Sequence, residues 1–165
     1  MQFSEQDIAA YRGLSAKELT DRGICPTCFD RASGGAVFGD NADKVIYRDQ
    51  SIEVFLVGNP RAEGHTAIAT VPHYQDLSEV PDRLNVLLIR AATRMMRIVR
   101  EVYGCERVYL CTMCDGPANH CHLQLIPRYA WEERGSGNFV KPRKVYVPDR
   151  AKVDRMRELA RDLLV

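Results

Sequence analysis

Long apolar runs are missing from this chain. None approaches the roughly 20 residues that a membrane span needs, and the opening Met1-Gln2-Phe3-Ser4-Glu5-Gln6-Asp7 lacks the basic-then-apolar layout of a secretion signal. No membrane association is expected, and the expected location is the cytoplasm. Surplus charge is missing too: a net charge of +1 gives no general electrostatic reason to bind nucleic acid, and none is expected as a partner. Internal repeats and linker-like stretches are also lacking. At 165 residues, 45% hydrophobic and 27% charged, the chain reads as one ordinary globular domain spanning 1–165. Histidine is scarce, with four residues at 65, 73, 120 and 122. Two of the four standing two apart is therefore the first feature to explain.

The apolar spacing places that pair in a fold. Residues 5–22 mix Ile8, Tyr11, Leu14 and Leu19 with charge at near-helical spacing, giving a helical lead-in over 1–22 in which Ser15 caps a second helix. Cys25-Pro26-Thr27-Cys28, the Gly-rich 33–35 and the polar 39–43 read as turns, so this region is expected to be mostly loop. Three β-like runs follow at 44–48, 52–57 and 66–71, spaced as an antiparallel meander. From 84 to 103 the set Leu84, Leu88, Ala91, Met95, Ile98 and Val102 recurs in steps of three and four, which predicts a long helix ended by Gly104. Strands are expected at 107–111 and 121–126, joined by a turn at 115–117, and a loop over 131–143 leads to a helix over 149–164 within the C-terminal segment 144–165. Together these give an α+β fold: an antiparallel sheet of about five strands, a long packed helix and a C-terminal helix.

On a strand, side chains alternate. His120, His122 and Gln124 then share one face while Cys121, Leu123 and Leu125 share the other. The plain explanation is an exposed polar sheet face. The cysteines argue for more. In a reducing setting Cys25-x-x-Cys28 has the bite of two thiolates on a tetrahedral zinc, needing two further ligands. Cys111 and Cys114, a pair of the same spacing, could complete a Cys-only site; His73 and one of the His pair could complete a mixed one. A redox pair and unligated core cysteines are the remaining readings.

Gly64-His65-Thr66, then Val71-Pro72-His73, a long helix, and His120-x-His122-x-Gln124-Leu125-Ile126-Pro127-Arg128 occur in the order found in the histidine triad superfamily, which this chain resembles from about residue 25 to 143. Gln124 stands where the usual third His would be, a pattern similar to the transferase branch of galactose-1-phosphate uridylyltransferases and dinucleoside-polyphosphate phosphorylases. The resemblance implies that His122 attacks phosphorus to form a covalent nucleotidyl-imidazole, with the Gln124 amide donating to phosphoryl oxygens. Physically, a neutral imidazole is a competent nucleophile near pH 7, and an amide can stabilise charge but cannot carry a proton. The resemblance also implies a structural zinc held by Cys25, Cys28, His73 and His120, and a homodimer. Asn119, Gly116 and Arg128 are the expected substrate contacts, and the run Lys141-Pro142-Arg143-Lys144 could steer an anion.

Departures from the family pattern shape the expected chemistry. Val57 stands where nucleotide-binding members usually carry an Asp for the ribose. Gly116, Pro117 and Ala118 stand near where a Gly and Ser contact phosphate, and Tyr109 and Cys111 replace a further Asn and Gly. The expected function is a nucleotidyl transferase or phosphorylase acting at a phosphoanhydride of a phosphorylated small molecule, of which a nucleotide is one candidate. A nucleotide hydrolase of the same family is one alternative. A zinc-stabilised binding protein without catalysis is the other, and Cys111, Cys114 and Cys121 add a second metal site, a redox handle or simple packing to the open readings.

Overall fold

The computed structural model describes residues 2–39, 42–114, 116, 118–135, 137 and 141–163. Two short helices open it, α1 (Glu5–Tyr11) and α2 (Ala16–Asp21). Ser4 and Ser15 each accept from a backbone N–H three residues on, and Asp7 and Glu18 return the bond, so both helices start with a complete capping box. They bury little themselves. Leu19 is the exception, and Phe3 and Tyr11 meet Phe29 edge-on at ring distances of 5.4 and 6.2 Å.

Phe29 belongs to an element the sequence reading missed. Residues 25–33 were expected to be loop, but Pro26–Ser33 form helix α3. Cys25 is its N-cap, its sulfur accepting from the Cys28 N–H; Pro26 occupies the first turn, where no N–H is needed, and Gly34 closes it at φ +70°. The Gly-rich stretch is thus a helix stop rather than the start of a loop.

Five antiparallel strands follow: β1 (Val45–Arg48), β2 (Ile52–Leu56), β3 (Thr66–Thr70), β4 (Arg107–Cys111) and β5 (His122–Arg128), in the order β1-β2-β3-β5-β4. Between β3 and β4 runs α4 (Asp82–Tyr103), ended by Gly104 at φ +66°. Its buried stripe of Leu88, Ala91, Ala92, Met95, Ile98 and Val99 packs with Ile52, Val54, Ile68, Leu123 and Leu125 from one sheet face. Burying these side chains is the main source of stability, at about 25 cal/mol per Å² of apolar surface. The meander, the long helix and the α+β class agree with the expectation.

Most boundaries shift by one or two residues, and two of the differences matter here. Strand β5 begins at His122, leaving His120 in the extended stretch just before it. The last helix, α5, covers only Arg150–Leu159, with the Asp149 carboxylate accepting from Ala151 and Lys152 N–H, and residues 144–149 form no helix. Past Leu159 the chain turns, because the Arg94 guanidinium of α4 takes the carbonyls of Asp162 and Leu163 at 2.9 and 2.6 Å and Leu163 is buried against the core. Asp40 and Asn41 of the expected turn at 39–43, Asp115 and Pro117 of the turn at 115–117, residues 136 and 138–140 of the expected loop, and Leu164 lie outside the described residues. No helix among those described is long and apolar enough to cross a membrane.

Candidate active site and metal centre

Where β3 leaves the sheet and β5 enters it, four side chains from three segments converge. α3 supplies Cys25 and Cys28, the loop after β3 supplies His73, and His120 comes from the stretch before β5; their ligand atoms all lie within 4.8 Å of one another. Cys25 Sγ is 3.5 Å and Cys28 Sγ 3.4 Å from His120 Nδ1, Cys28 Sγ is 3.3 Å from His73 Nδ1, and the two Nδ1 atoms are 3.4 Å apart. A tetrahedral zinc with bonds of about 2.3 Å to sulfur and about 2.0 Å to nitrogen requires edges of about 3.3 to 3.8 Å. The donor set fits. The hydrogen bond between the two thiols pulls the Cys25 thiol down and pushes the Cys28 thiol up. Among the described residues this is the cluster with ligand geometry, and Cys111 and Cys114 do not join it.

The surroundings orient the histidine. His120 Nε2 donates to the Thr70 carbonyl at 2.7 Å, so the lone pair sits on Nδ1, facing the thiols. Arg31 of α3 holds the same carbonyl, its Nη1 3.4 Å from His120 Nε2. Its Nη1 donates to the carbonyls of Thr70 and Val71 at 3.0 and 3.1 Å, while Nη2 pairs with Glu53 of β2 at 2.7 Å. Arg31, Glu53 and Thr70 were not singled out from the sequence. Glu53 sits on β2 and Arg31 in a segment read as loop, so no local pattern joins them.

The sheet face away from α4 carries the second group. Register places Gln124 beside Ala67 and Cys111, and His122 beside Ala69. Both alanines are buried, at 2% exposed each. His122 Nδ1 donates to the His120 carbonyl at 2.8 Å, a group that can only accept, so its Nε2 carries a lone pair. That Nε2 lies 3.3 Å from the Gln124 amide nitrogen. Burial pushes the His122 pKa below the ordinary range, keeping the ring neutral at pH 7.

His65 joins this face with a role not read from the sequence, although Gly64-His65 belonged to the quoted pattern. It is 1% exposed, and its Nδ1 accepts from the Arg61 N–H at 3.1 Å. Nε2 has no hydrogen-bond partner, while the Gln124 side chain lies near enough to favour the charged form. Burial first, then the charge of Arg143, push its pKa down to about 4. Gly64 is required here: at φ +75° an added Cβ would sit 2.7 Å from the Tyr103 ring.

The remaining expected residues are placed as follows. Gly116, at φ +85°, and Asn119 belong to the turn before His120, with Asn119 N–H donating to the Gly116 carbonyl at 3.3 Å and its amide to the Gln75 carbonyl. Arg128 stands at the far end of β5, 4% exposed and paired with Glu106 at 2.9 Å. At about 3.3 Å per residue it is roughly 20 Å from His122. Cys121 is fully buried in the core, its thiol pushed up to about 11 by that burial, and Cys114 Sγ contacts the Thr112 hydroxyl at 3.2 Å.

The HIT-domain family model matches residues 39–131, more than half of the chain. The chain belongs to the HIT family. Members of that family act as nucleotide hydrolases or transferases. An uncharacterized HIT-like protein of Methanocaldococcus jannaschii is 29% identical over 107 residues, covering 62% of this chain and 79% of its own. Among solved structures, a zinc-bound histidine triad family protein from Mycobacterium smegmatis superposes at TM-score 0.57 with 22% identity, covering 72% of this chain and 84% of its own. A diadenosine triphosphate hydrolase of Plasmodium falciparum superposes at 0.58 with 11% identity, covering 78% and 84%. At these identities the two superpositions speak for the HIT fold. The α+β architecture with its five-stranded antiparallel sheet matches it.

Proposed function

We propose that this HIT protein is a nucleotidyl transferase or phosphorylase that acts at a phosphoanhydride through a covalent intermediate on His122. One observation carries the reading: His122 has its Nδ1–H committed to the His120 carbonyl and its Nε2 lone pair beside the Gln124 amide. In the first step the Nε2 lone pair forms a bond to phosphorus. The P–O bond to the leaving phosphate breaks, and its electron pair departs on oxygen. The Nδ1–H stays on the His120 carbonyl and stabilises the charge the ring acquires. Gln124 then donates to a phosphoryl oxygen. In the second step an acceptor oxygen takes the phosphorus, the N–P electrons return to Nε2, and any acceptor proton passes to solvent.

Transfer is favoured over hydrolysis because Gln124 can hold charge but cannot activate water. A phosphate or sugar-phosphate acceptor needs no such activation. Cys25, Cys28, His73 and His120 would hold a zinc, supported by their spacing and by the zinc-bound relative. Four protein ligands close the site, so when bound the metal supplies structure. A homodimer belongs to the same reading, supported by the edge position of β4 and by Leu110, Val86 and Ile89 at the surface.

Mass spectrometry of the protein mixed with a nucleoside diphosphate sugar or a dinucleoside polyphosphate tests the proposal. A nucleotidyl adduct on wild type and none on His122→Ala is the expected result, and an adduct that survives the substitution sinks it. Product formed with phosphate or sugar phosphate added, against water alone, separates transferase from hydrolase.

A further inference from the structure

The end of the hairpin that leads into the His120–His122 stretch holds two thiols that neither the metal corner nor the proposed reaction uses. Strands β4 and β5 pair without a break from Arg107 opposite Arg128 to Cys111 opposite Gln124. Continued past Cys111, the same register sets Thr112 against Leu123, Met113 against His122 and Cys114 against Cys121. The two segments do stay side by side there: the Thr112 hydroxyl donates to the His122 carbonyl at 3.0 Å, and Cys114 is near enough for its charge to act on the Cys121 sulfur. Residues directly opposite each other on antiparallel strands have Cα atoms about 4.5 to 5.5 Å apart. A disulfide needs about 4.4 to 6.8 Å.

Alternation puts both sulfurs on one face. Cys121 is fully buried in the core with Leu123 and Leu125, so Cys114 opposite it faces the same way, whereas Cys111, opposite Gln124, faces the other. The two thiols are free, and they differ in access: Cys114 is half-buried and reached by solvent, while Cys121 is sealed. Cys114 is also tied to the backbone of the nucleophile. The one hydrogen of the Thr112 hydroxyl goes to the His122 carbonyl, so in the 3.2 Å contact between Thr112 Oγ1 and Cys114 Sγ the thiol is the donor. A Cys114 sulfur bonded elsewhere gives up that contact.

We propose that Cys114 and Cys121 are a reversible disulfide site, oxidised by hydrogen peroxide and reduced again by a small thiol. The Cys114 sulfur attacks a peroxide oxygen; the O–O bond breaks, a sulfenic acid forms, and the departing oxygen leaves as water with the thiol proton. The Cys121 sulfur then attacks the Cys114 sulfur, the S–O bond breaks, and hydroxide leaves as a second water with the Cys121 proton. Two thiols lose two electrons and one peroxide becomes two waters. The new bond joins the end of β4 to the residue between His120 and His122 and takes the thiol hydrogen away from Thr112. The bond itself is independent of the proposed activity; only its effect on the adduct rests on the His122 reading.

The full chain, with its metal content unchanged, is treated with hydrogen peroxide and cleaved before Asp115 under non-reducing conditions, a cut that separates Cys111 and Cys114 from Cys121. Mass spectrometry is expected to find the two fragments joined in wild type and in Cys111→Ser, released by dithiothreitol, and separate in Cys114→Ser. Fragments separate in treated wild type, or joined in Cys114→Ser, overturn the site. So does a link that forms no faster in the folded chain than in urea, or one that metal analysis shows only after the metal is lost. Peroxide is also expected to slow adduct formation on His122 about fivefold, the worth of one hydrogen bond, with recovery on reduction and no such slowing in Cys114→Ser. A link without slowing keeps the disulfide site and removes its hold on His122. A link in protein that forms no adduct, oxidised or reduced, keeps the site and removes the nucleophile reading.

Discussion

His120 and His122 stand two residues apart, yet the structure treats them in opposite ways. Both nitrogens of His120 are committed, Nε2 to the Thr70 carbonyl and Nδ1 to the thiol cluster. His122 has one nitrogen committed and the other facing the Gln124 amide. The metal corner is held from every side by α3, β2 and the ends of β3 and β5. The His122 face is bordered by Ala67 and Ala69 of β3 and by the buried His65. The difference teaches that histidine identity says little about role. What distinguishes a positioned ligand from a nucleophile is how many of its nitrogens the fold has already used.

The comparison can be broken at its reactive end first. His122→Ala is expected to abolish the adduct and lower turnover by on the order of 10⁴-fold or more, with little change in unfolding temperature; a modest loss of rate would place the reaction elsewhere.

The corner should fail as structure instead. Cys25→Ser or His73→Ala is expected to lower zinc content from about one per chain and to destabilise the fold by several kcal/mol, read by metal analysis and thermal unfolding with and without chelator. Cys111→Ser should leave zinc untouched; if it does not, a Cys-only site returns.

A third test separates the two regions by pH. His65 titrates at about 4 in the folded state against an ordinary 6.5, so the unfolded chain binds the extra proton between those values. Its contribution is therefore fully present above about 6.5 and is lost as pH falls toward 4, about 3 kcal/mol over the window. Urea unfolding at pH 7 and 4.5 should show this loss, and His65→Asn should show less pH dependence than wild type; equal slopes would refute the assignment.

The smallest effect is expected from the brace. Arg31→Ala leaves Glu53 with only the longer contact to Arg48 at 3.3 Å and leaves the Thr70 carbonyl to His120 without the guanidinium that braces it, so zinc affinity should fall about tenfold. Metal competition with a chromophoric chelator measures it, and an unchanged affinity would show that His120 is oriented without help.

How much of this was legible depended on the range of each interaction. The meander, α4 and the split of β5 into a core face and a polar face follow from periodicity, which is local. α3 escaped because its start is set by a cysteine side chain acting as cap, and its Gly34 stop reads as loop when the helix before it is unseen. The set Cys25, Cys28, His73 and His120 became readable through resemblance, while spacing alone left Cys111 and Cys114 as an equal choice. Arg31 with Glu53, and Arg61 with the Lys141 carbonyl, unite segments 22 and 80 residues apart in the chain, and no periodicity reports on such pairs. Arg128 shows the converse: adjacent to the motif in sequence, it spends its charge on Glu106 at the other end of the strand.

The carbonyl of His120 has one more implication. The residue whose ring faces the thiols also presents, through its backbone, the acceptor that decides which nitrogen of His122 carries hydrogen. The two regions are thus hinged on a single residue, its side chain anchored in one and its peptide oxygen aiming the other. A disturbance of the corner that turns this peptide plane would release His122 to its other tautomer, disarming it while the sheet remains folded. Nitrogen-15 shifts of the His122 ring, recorded as the corner is loosened, would register that release before any unfolding does.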